Sequence, residues 1–204
     1  FVDDYLLEKL AGDARRTLHH PTPKELALTH EEPWEGTGSG YHTVFQDRDA
    51  GGVLYRMYYK ASHLEVLKDR VDAGRHPLYL CYAESRDGVR WRKPKLGLHK
   101  FEGSKDNNIL ARSIVDGTVF IDPQAPAAER YKILHTVGPH AGGLRISTSA
   151  DGIHFKELDE PFLPEWVDSD NIIHYNEELG KYVGYLRFHL AGRRCVGISY
   201  SDDF

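Results

Sequence analysis

A strand-like run ending in Ser-x-Asp occurs three times in this chain, and it restricts the fold more than any other feature. The runs read Leu-Tyr-Leu-Cys-Tyr-Ala-Glu-Ser-Arg-Asp at 78–87, Gly-Leu-Arg-Ile-Ser-Thr-Ser-Ala-Asp at 143–151 and Val-Gly-Ile-Ser-Tyr-Ser-Asp-Asp at 196–203. In the first two, Gly88 and Gly152 follow, and then the aromatic residues Trp91 and Phe155. Superposed on the serine, Leu80, Leu144 and Val196 coincide, as do Tyr82, Ile146 and Ile198, while Ala83, Ser147 and Ser199 fall on the other parity. Side chains alternate across a strand, so each run has one bulky apolar face and one small face. That pattern predicts sheets covered on both sides, large residues meeting small ones. Asp-Gly between apolar runs predicts a type I′ hairpin turn.

Two further strand signals precede each run. The nearer ones start at tyrosine: Tyr55–Lys60, Tyr131–Thr136 and Tyr182–Arg187. Before them stand Thr43–Asp47, Thr118–Asp122 and Ile172–Asn176, and Trp91–Lys93 and Phe155–Leu158 supply a short fourth strand after the turn. Each unit therefore reads as a four-stranded antiparallel meander. The serines are 64 and 52 residues apart, which are propeller-blade lengths. The expected fold is all-β, a β-propeller forming a single domain over 1–204, with blades at about 41–98, 116–163 and 170–204, the third incomplete. Propellers have roughly four to eight blades. The sequence is thus expected to be the N-terminal part of a longer protein, its remaining blades coming from a C-terminal segment. A self-contained β-sandwich is the alternative. In the first unit, Leu64, Leu67 and Val71 at helical spacing predict a short helix at about 63–73, ended by Gly74 and Pro77.

The 204 residues carry a formal charge of −5, which argues against a nucleic-acid partner. No run of 18 apolar residues occurs, so no membrane span is expected, and no signal-peptide pattern is present. The chain starts at Phe1, which leaves the compartment open. Cys81 and Cys195 lie two copies of the repeat apart. A disulfide needs Cα atoms within about 7 Å, so both are expected as buried free thiols. His19-His20 points to opposite sides of an extended segment, and no His-x-x-x-His or Cys-x-x-Cys spacing marks a transition-metal site. No metal site or cofactor is predicted, apart from the option of a structural ion such as calcium on the propeller axis.

In a propeller the innermost strands run toward a shared funnel, and acidic sequence precedes each first strand here. The first unit offers Glu35, the second Asp106 and Asp116, the third Asp168 and Asp170. Asp116 and Asp170 each stand six residues before the Asp122 or Asn176 that closes the first strand, and Tyr41 holds that place in the first unit.

Four segments, Trp34-Glu35-Gly36, Cys81 to Gly88, Gly103-Ser104-Lys105-Asp106-Asn107-Asn108 and Asp168-Ser169-Asp170-Asn171, resemble bacterial proteins related to glycoside hydrolase family 32. These belong with the five-bladed propeller superfamily of families 32, 43, 62, 68 and 117. The resemblance covers essentially the whole chain. The family 32 signature Trp-Met-Asn-Asp-Pro is absent, its nearest counterpart being Pro33-Trp34-Glu35-Gly36, and so are the Arg-Asp-Pro and Glu-Cys motifs. The resemblance implies a glycosidase with a carbohydrate substrate and a carboxylate from each of three blades, and it favours an extracytoplasmic location. On that pattern Glu35 is the base or nucleophile, Asp116 or else Asp106 the transition-state stabiliser, and Asp168 or Asp170 the general acid. Trp34 and Tyr41 would stack on a sugar ring. His42, His135 and His174 would line the funnel, and Arg187 would orient a carboxylate or a sugar hydroxyl. A non-catalytic carbohydrate-binding propeller and a protein-interaction propeller are the competing readings.

Overall fold

The computed structural model describes residues 5, 7–72, 77–136, 143–164 and 167–204. Three antiparallel sheets follow one another along the chain. The first orders β1 (Gly40–Asp49), β2 (Gly52–Ala61), β5 (Tyr79–Ser85) and β6 (Trp91–Arg92). The second orders β8 (Val115–Ile121), β9 (Tyr131–Thr136), β10 (Leu144–Ser149) and β11 (Lys156–Glu157). The third holds β12 (Ile172–Asn176), β13 (Lys181–Leu190) and β14 (Arg193–Ser201). Among the described residues there is no α-helix, only a 3-10 turn at Ala127–Glu129, and no helix is long and apolar enough to cross a membrane.

Three details differ from expectation. The helix expected near residue 63 is a two-stranded ribbon over its described part, β3 (Glu65–Val66) against β4 (Val71–Asp72). Of the expected stripe, Leu64 is 44% and Val71 58% exposed. An apolar stripe makes a helix only if something covers it, and here two of its three members stay open to solvent. A fifth strand, β7 (Ile109–Arg112), joins the first sheet beside Tyr79–Cys81 of β5, on the edge whose other end β6 occupies. Its four residues are too few to show a period. Finally, the Asp-Gly turns are not two-residue hairpins. Ser85 pairs with Trp91, leaving a five-residue loop held by side chains. Ser85 Oγ accepts from the N–H of Asp87 and Gly88, and Asp87 Oδ1 accepts from those of Val89 and Arg90. Ser149 and Asp151 repeat the arrangement bond for bond. Only the glycine takes positive φ, 75° at Gly88 and 77° at Gly152. The Ser-x-Asp-Gly pattern is thus a loop-capping device, with Ser and Asp satisfying backbone donors.

The alternation of large and small residues works as expected in the first two units. Tyr58, Leu80 and Tyr82 pack against Ile114, Val119 and Ile133, joining the first sheet to the second. Leu134, Leu144 and Ile146 pack against Val167, Ile173 and Tyr182, joining the second to the third. Each fully buried aliphatic side chain contributes about 1.5–3 kcal/mol. The other face of the first sheet, with Met57, Tyr59, Cys81 and Ala83, is covered by Leu28, Trp34, Trp91 and Phe101. The third sheet breaks the pattern. Leu80, Tyr82, Leu144 and Ile146 are at most 2% exposed, but their counterparts Val196 and Ile198 are 66% and 56% exposed.

Polar clamps reinforce both junctions. Asp47, at the end of β1, accepts from Arg56 Nε (2.7 Å) and Arg130 Nη2 (3.0 Å) and from the hydroxyl of Tyr131, which opens the second strand of the next unit. Asp122 likewise accepts from Lys132 Nζ (2.6 Å) and from the Tyr182 hydroxyl of the third unit (2.9 Å). Burial raises the pKa of both carboxyls, but these donors outweigh it and hold them below the ordinary aspartate value. Both cysteines are free. Cys81 is buried, and loss of solvation pushes its thiol pKa far up. Cys195 is only half-buried, a departure from expectation: it pairs with Phe188 near the β13–β14 turn, at the end of the sheet.

Candidate active site

The three first strands begin with the same irregularity. In β1, Tyr41 and His42 stand together opposite Tyr59, between the pairs Gly40–Lys60 and Thr43–Tyr58. In β8, Asp116 and Gly117 stand opposite His135, between Val115–Thr136 and Thr118–Leu134. Ahead of β12, the Asp168 N–H donates to the Arg187 carbonyl and the Arg187 N–H to Asn171 Oδ1, which puts Asp170 in the same place. These are bulges whose first residue is left-handed. The φ values are 53° at Tyr41, 54° at Asp116 and 60° at Asp170. That conformation costs an L-residue roughly 1–2 kcal/mol, least for Asp and Asn. Three equivalent positions bearing the same cost mark a conserved geometry within the molecule and aim three side chains alike.

The bulges meet. β8 touches β1, β2 and β12. Lys60 Nζ donates to Asp116 Oδ1 at 2.7 Å and lies 4.9 Å from the Tyr41 ring centroid. Burial of its carboxyl and the charge of nearby Asp116 raise the Asp170 pKa above the ordinary aspartate value, with Arg187 and Lys60 pulling the other way, although the outer side of the residue stays open to solvent. Arg187 Nη2 donates to Asp168 Oδ1 at 2.6 Å and to Ser169 Oγ, and this hydrogen bond, against some loss of solvation, keeps Asp168 low. Arg194 Nε stands 3.6 Å from the other Asp168 oxygen. The cluster therefore holds Asp116, Asp168, Asp170, Tyr41, Lys60 and Arg187. It contains carboxyl groups of unequal proton affinity, the condition for paired acid and base roles.

The side chains of the other expected site residues make their contacts outside this cluster. Glu35 has no exposed surface. Its Oε1 accepts from Tyr59 Oη (2.5 Å) and faces His30 Nδ1 (3.3 Å), and its Oε2 accepts from Lys93 Nζ (2.7 Å) and the Glu32 N–H (2.9 Å). Burial would raise its pKa, but the Lys93, Tyr59 and Glu32 bonds bring it below the ordinary value. With both oxygens engaged and no open side, Glu35 organises the segment that covers the first sheet and is not presented to a substrate. Trp34 belongs to the same layer, with Nε1 donating to Asn108 Oδ1 (2.6 Å) and an edge contact to Phe101. It is partly buried, packed against the core of the first sheet and outside the aspartate cluster. Asp106 is an exposed turn residue paired with Lys95. His174 stacks on Tyr185 on the open third sheet. His135 is buried with its Nε2 on Ser147 Oγ (3.1 Å), and loss of solvation lowers its pKa. His42 stacks on Tyr59 and its Nε2 faces His30 Nε2 at 3.0 Å. Loss of solvation and the His30 charge lower its pKa.

Gly36 fixes where Glu35 enters. Its φ is 66°, and a Cβ there would lie 2.4 Å from the Ser62 carbonyl oxygen. Gly36→Ala is expected to cost at least about 2 kcal/mol, strain and clash together, read as a lowered urea midpoint.

Sequence reasoning missed Lys60 and Asn108. Lys60 ends an apolar strand and carries no motif, although the matching position in the third unit, Arg187, was recognised. Asn108 sits in an apparent loop, yet its amide donates to Tyr59 Oη and the Tyr82 carbonyl, both at 2.7 Å. A cavity of about 400 Å³ lies apart from the cluster, lined by Leu26, Leu28, Glu31, Glu32, Trp91 and Lys93. Its one cation, Lys93, is already engaged by Glu35, so the bulge cluster is the better candidate for chemistry. Among the described residues no group of three or more His, Cys, Asp or Glu side chains could hold a metal ion. No protein-family model and no curated protein matches the chain.

Proposed function

We propose that the chain is a glycoside hydrolase built on propeller blades, with Asp170 as general acid and Asp116 as its carboxylate partner. The observation that carries this reading is the pair itself: two aspartates at equivalent left-handed bulges of strands that touch, where burial first and the Asp116 charge second raise the Asp170 pKa. Asp170 donates its proton to the glycosidic oxygen as the C–O bond breaks. Asp116 attacks the anomeric carbon or takes a proton from the attacking water, and its charge stabilises the oxocarbenium-like transition state. Lys60 and Arg187 position Asp116 and Asp168, and Tyr41 offers a ring face for the sugar.

The blade architecture is supported by the repeated face-to-face junctions and their Asp–Tyr clamps. The uncovered Val196 and Ile198 on β14 are where a fourth blade would pack. The test is hydrolysis of a panel of aryl glycosides and oligosaccharides, with turnover expected for at least one sugar class. A carbohydrate-binding propeller is the second reading, favoured by the sealing of Glu35, which leaves the cluster without the first-unit carboxylate that the resemblance implies. Saturable sugar binding with no turnover by the parent chain would select it.

A further inference from the structure

His30 and His42 are twelve residues apart, and the structure turns their Nε2 atoms toward each other at 3.0 Å. Two imidazole nitrogens approach this closely either as a donor–acceptor pair or as ligands of one ion. Metal–imidazole bonds are about 2.0–2.1 Å, so nitrogens 3.0 Å apart subtend roughly 95° at an ion between them. That is a cis angle of tetragonal or octahedral coordination. The surroundings suit it. His30 Nδ1 faces Glu35 Oε1 at 3.3 Å. A carboxylate on the far nitrogen fixes the tautomer, leaves the Nε2 lone pair directed at the metal and raises its basicity. Glu35 is itself immobilised by Tyr59, Lys93 and the Glu32 N–H. The His42 ring is stacked on Tyr59, with centroids 5.5 Å apart. The His30 side chain is 24% exposed and His42 is exposed, so water can complete the coordination.

We infer that His30 and His42 form a two-imidazole site for a divalent transition-metal ion of the copper, nickel and zinc group. The site is separate from the aspartate pair, and the inference does not rest on glycosidase activity. Oxygen-preferring ions such as calcium are poor matches for two nitrogens.

The test is calorimetric titration of the chelator-treated chain with Cu2+ and with Zn2+, alongside electron paramagnetic resonance of the Cu2+ form. One ion per chain is expected, with Cu2+ bound more tightly than Zn2+ and a spectrum of two coordinated imidazole nitrogens. His30→Ala and His42→Ala should each weaken binding at least tenfold. His174→Ala and the double change His19→Ala with His20→Ala should leave it unchanged. Binding that survives His42→Ala, or that is lost with His19 and His20, would overturn the assignment. Should the alanine variants fail to fold, the spectrum of the parent decides: one imidazole nitrogen or none would equally overturn it.

Discussion

Asp170→Asn is expected to lower kcat/KM on an oligosaccharide by about 10²–10⁴-fold, the range for loss of a general acid. The loss should be much smaller on a dinitrophenyl glycoside, whose leaving group departs without a proton. Asp116→Asn should depress both substrates alike, because its carboxylate serves the transition state whatever the leaving group. Equal loss on both substrates in Asp170→Asn would remove the acid role. The same variant carries a stability signature. Folding raises the Asp170 pKa, so the folded state holds this proton more tightly than the unfolded chain. The resulting stabilisation is present below the ordinary aspartate value and disappears as pH rises through the folded value. At neutral pH the carboxylate is then a liability. Asp170→Asn should melt at or above the parent temperature at pH 7, and asparagine also tolerates the left-handed backbone. A variant that gains stability while losing turnover identifies a group kept for chemistry.

Glu35→Gln should behave in the opposite way. It leaves Lys93, whose side chain is 15% exposed, facing a neutral amide. Breaking one side of a buried ion pair costs about 3–5 kcal/mol. For a chain of this size that corresponds to a fall in Tm of about 6–20 °C. The pH dependence also has the opposite sign. Folding lowers the Glu35 pKa, so its contribution is present above the ordinary glutamate value and is lost as pH falls through the folded one. The parent should therefore lose stability in acid more steeply than Glu35→Gln does. An unchanged Tm together with abolished turnover would restore Glu35 to the reacting centre.

Much of this arrangement could be read from residue order. Alternation located the three strands of each unit, because a sheet covered on both faces imposes a period of two on every covered strand. Counting six residues back from Asp122 and Asn176, which close the first strands, singled out Asp116 and Asp170, since repeated units put equivalent residues at equivalent bulges. The helix expected from Leu64, Leu67 and Val71 failed for a general reason: three apolar residues fit a helical stripe by chance, and Leu64 and Val71 stay open to solvent. The burial of Glu35 was not legible, because a carboxylate beside Trp and Gly looks the same in sequence whether it faces solvent or Lys93, which lies 58 residues away. The His30–His42 approach left no trace for the same reason. Their meeting depends on how the covering segment returns across β1, and no spacing rule encodes that.

The bulges at Tyr41, Asp116 and Asp170 carry a design consequence. What the backbone demands at each is tolerance of a left-handed turn, and one unit already meets that demand with tyrosine where two use aspartate. These are interchangeable sockets: strand pairing is set on either side of them, and the side chain they hold can be exchanged without moving the frame. Tyr41→Asp would give all three bulges an aspartate and seat an acid beside Lys60 at the cost of one aromatic face, so reagents can be re-equipped station by station on a scaffold that stays the same.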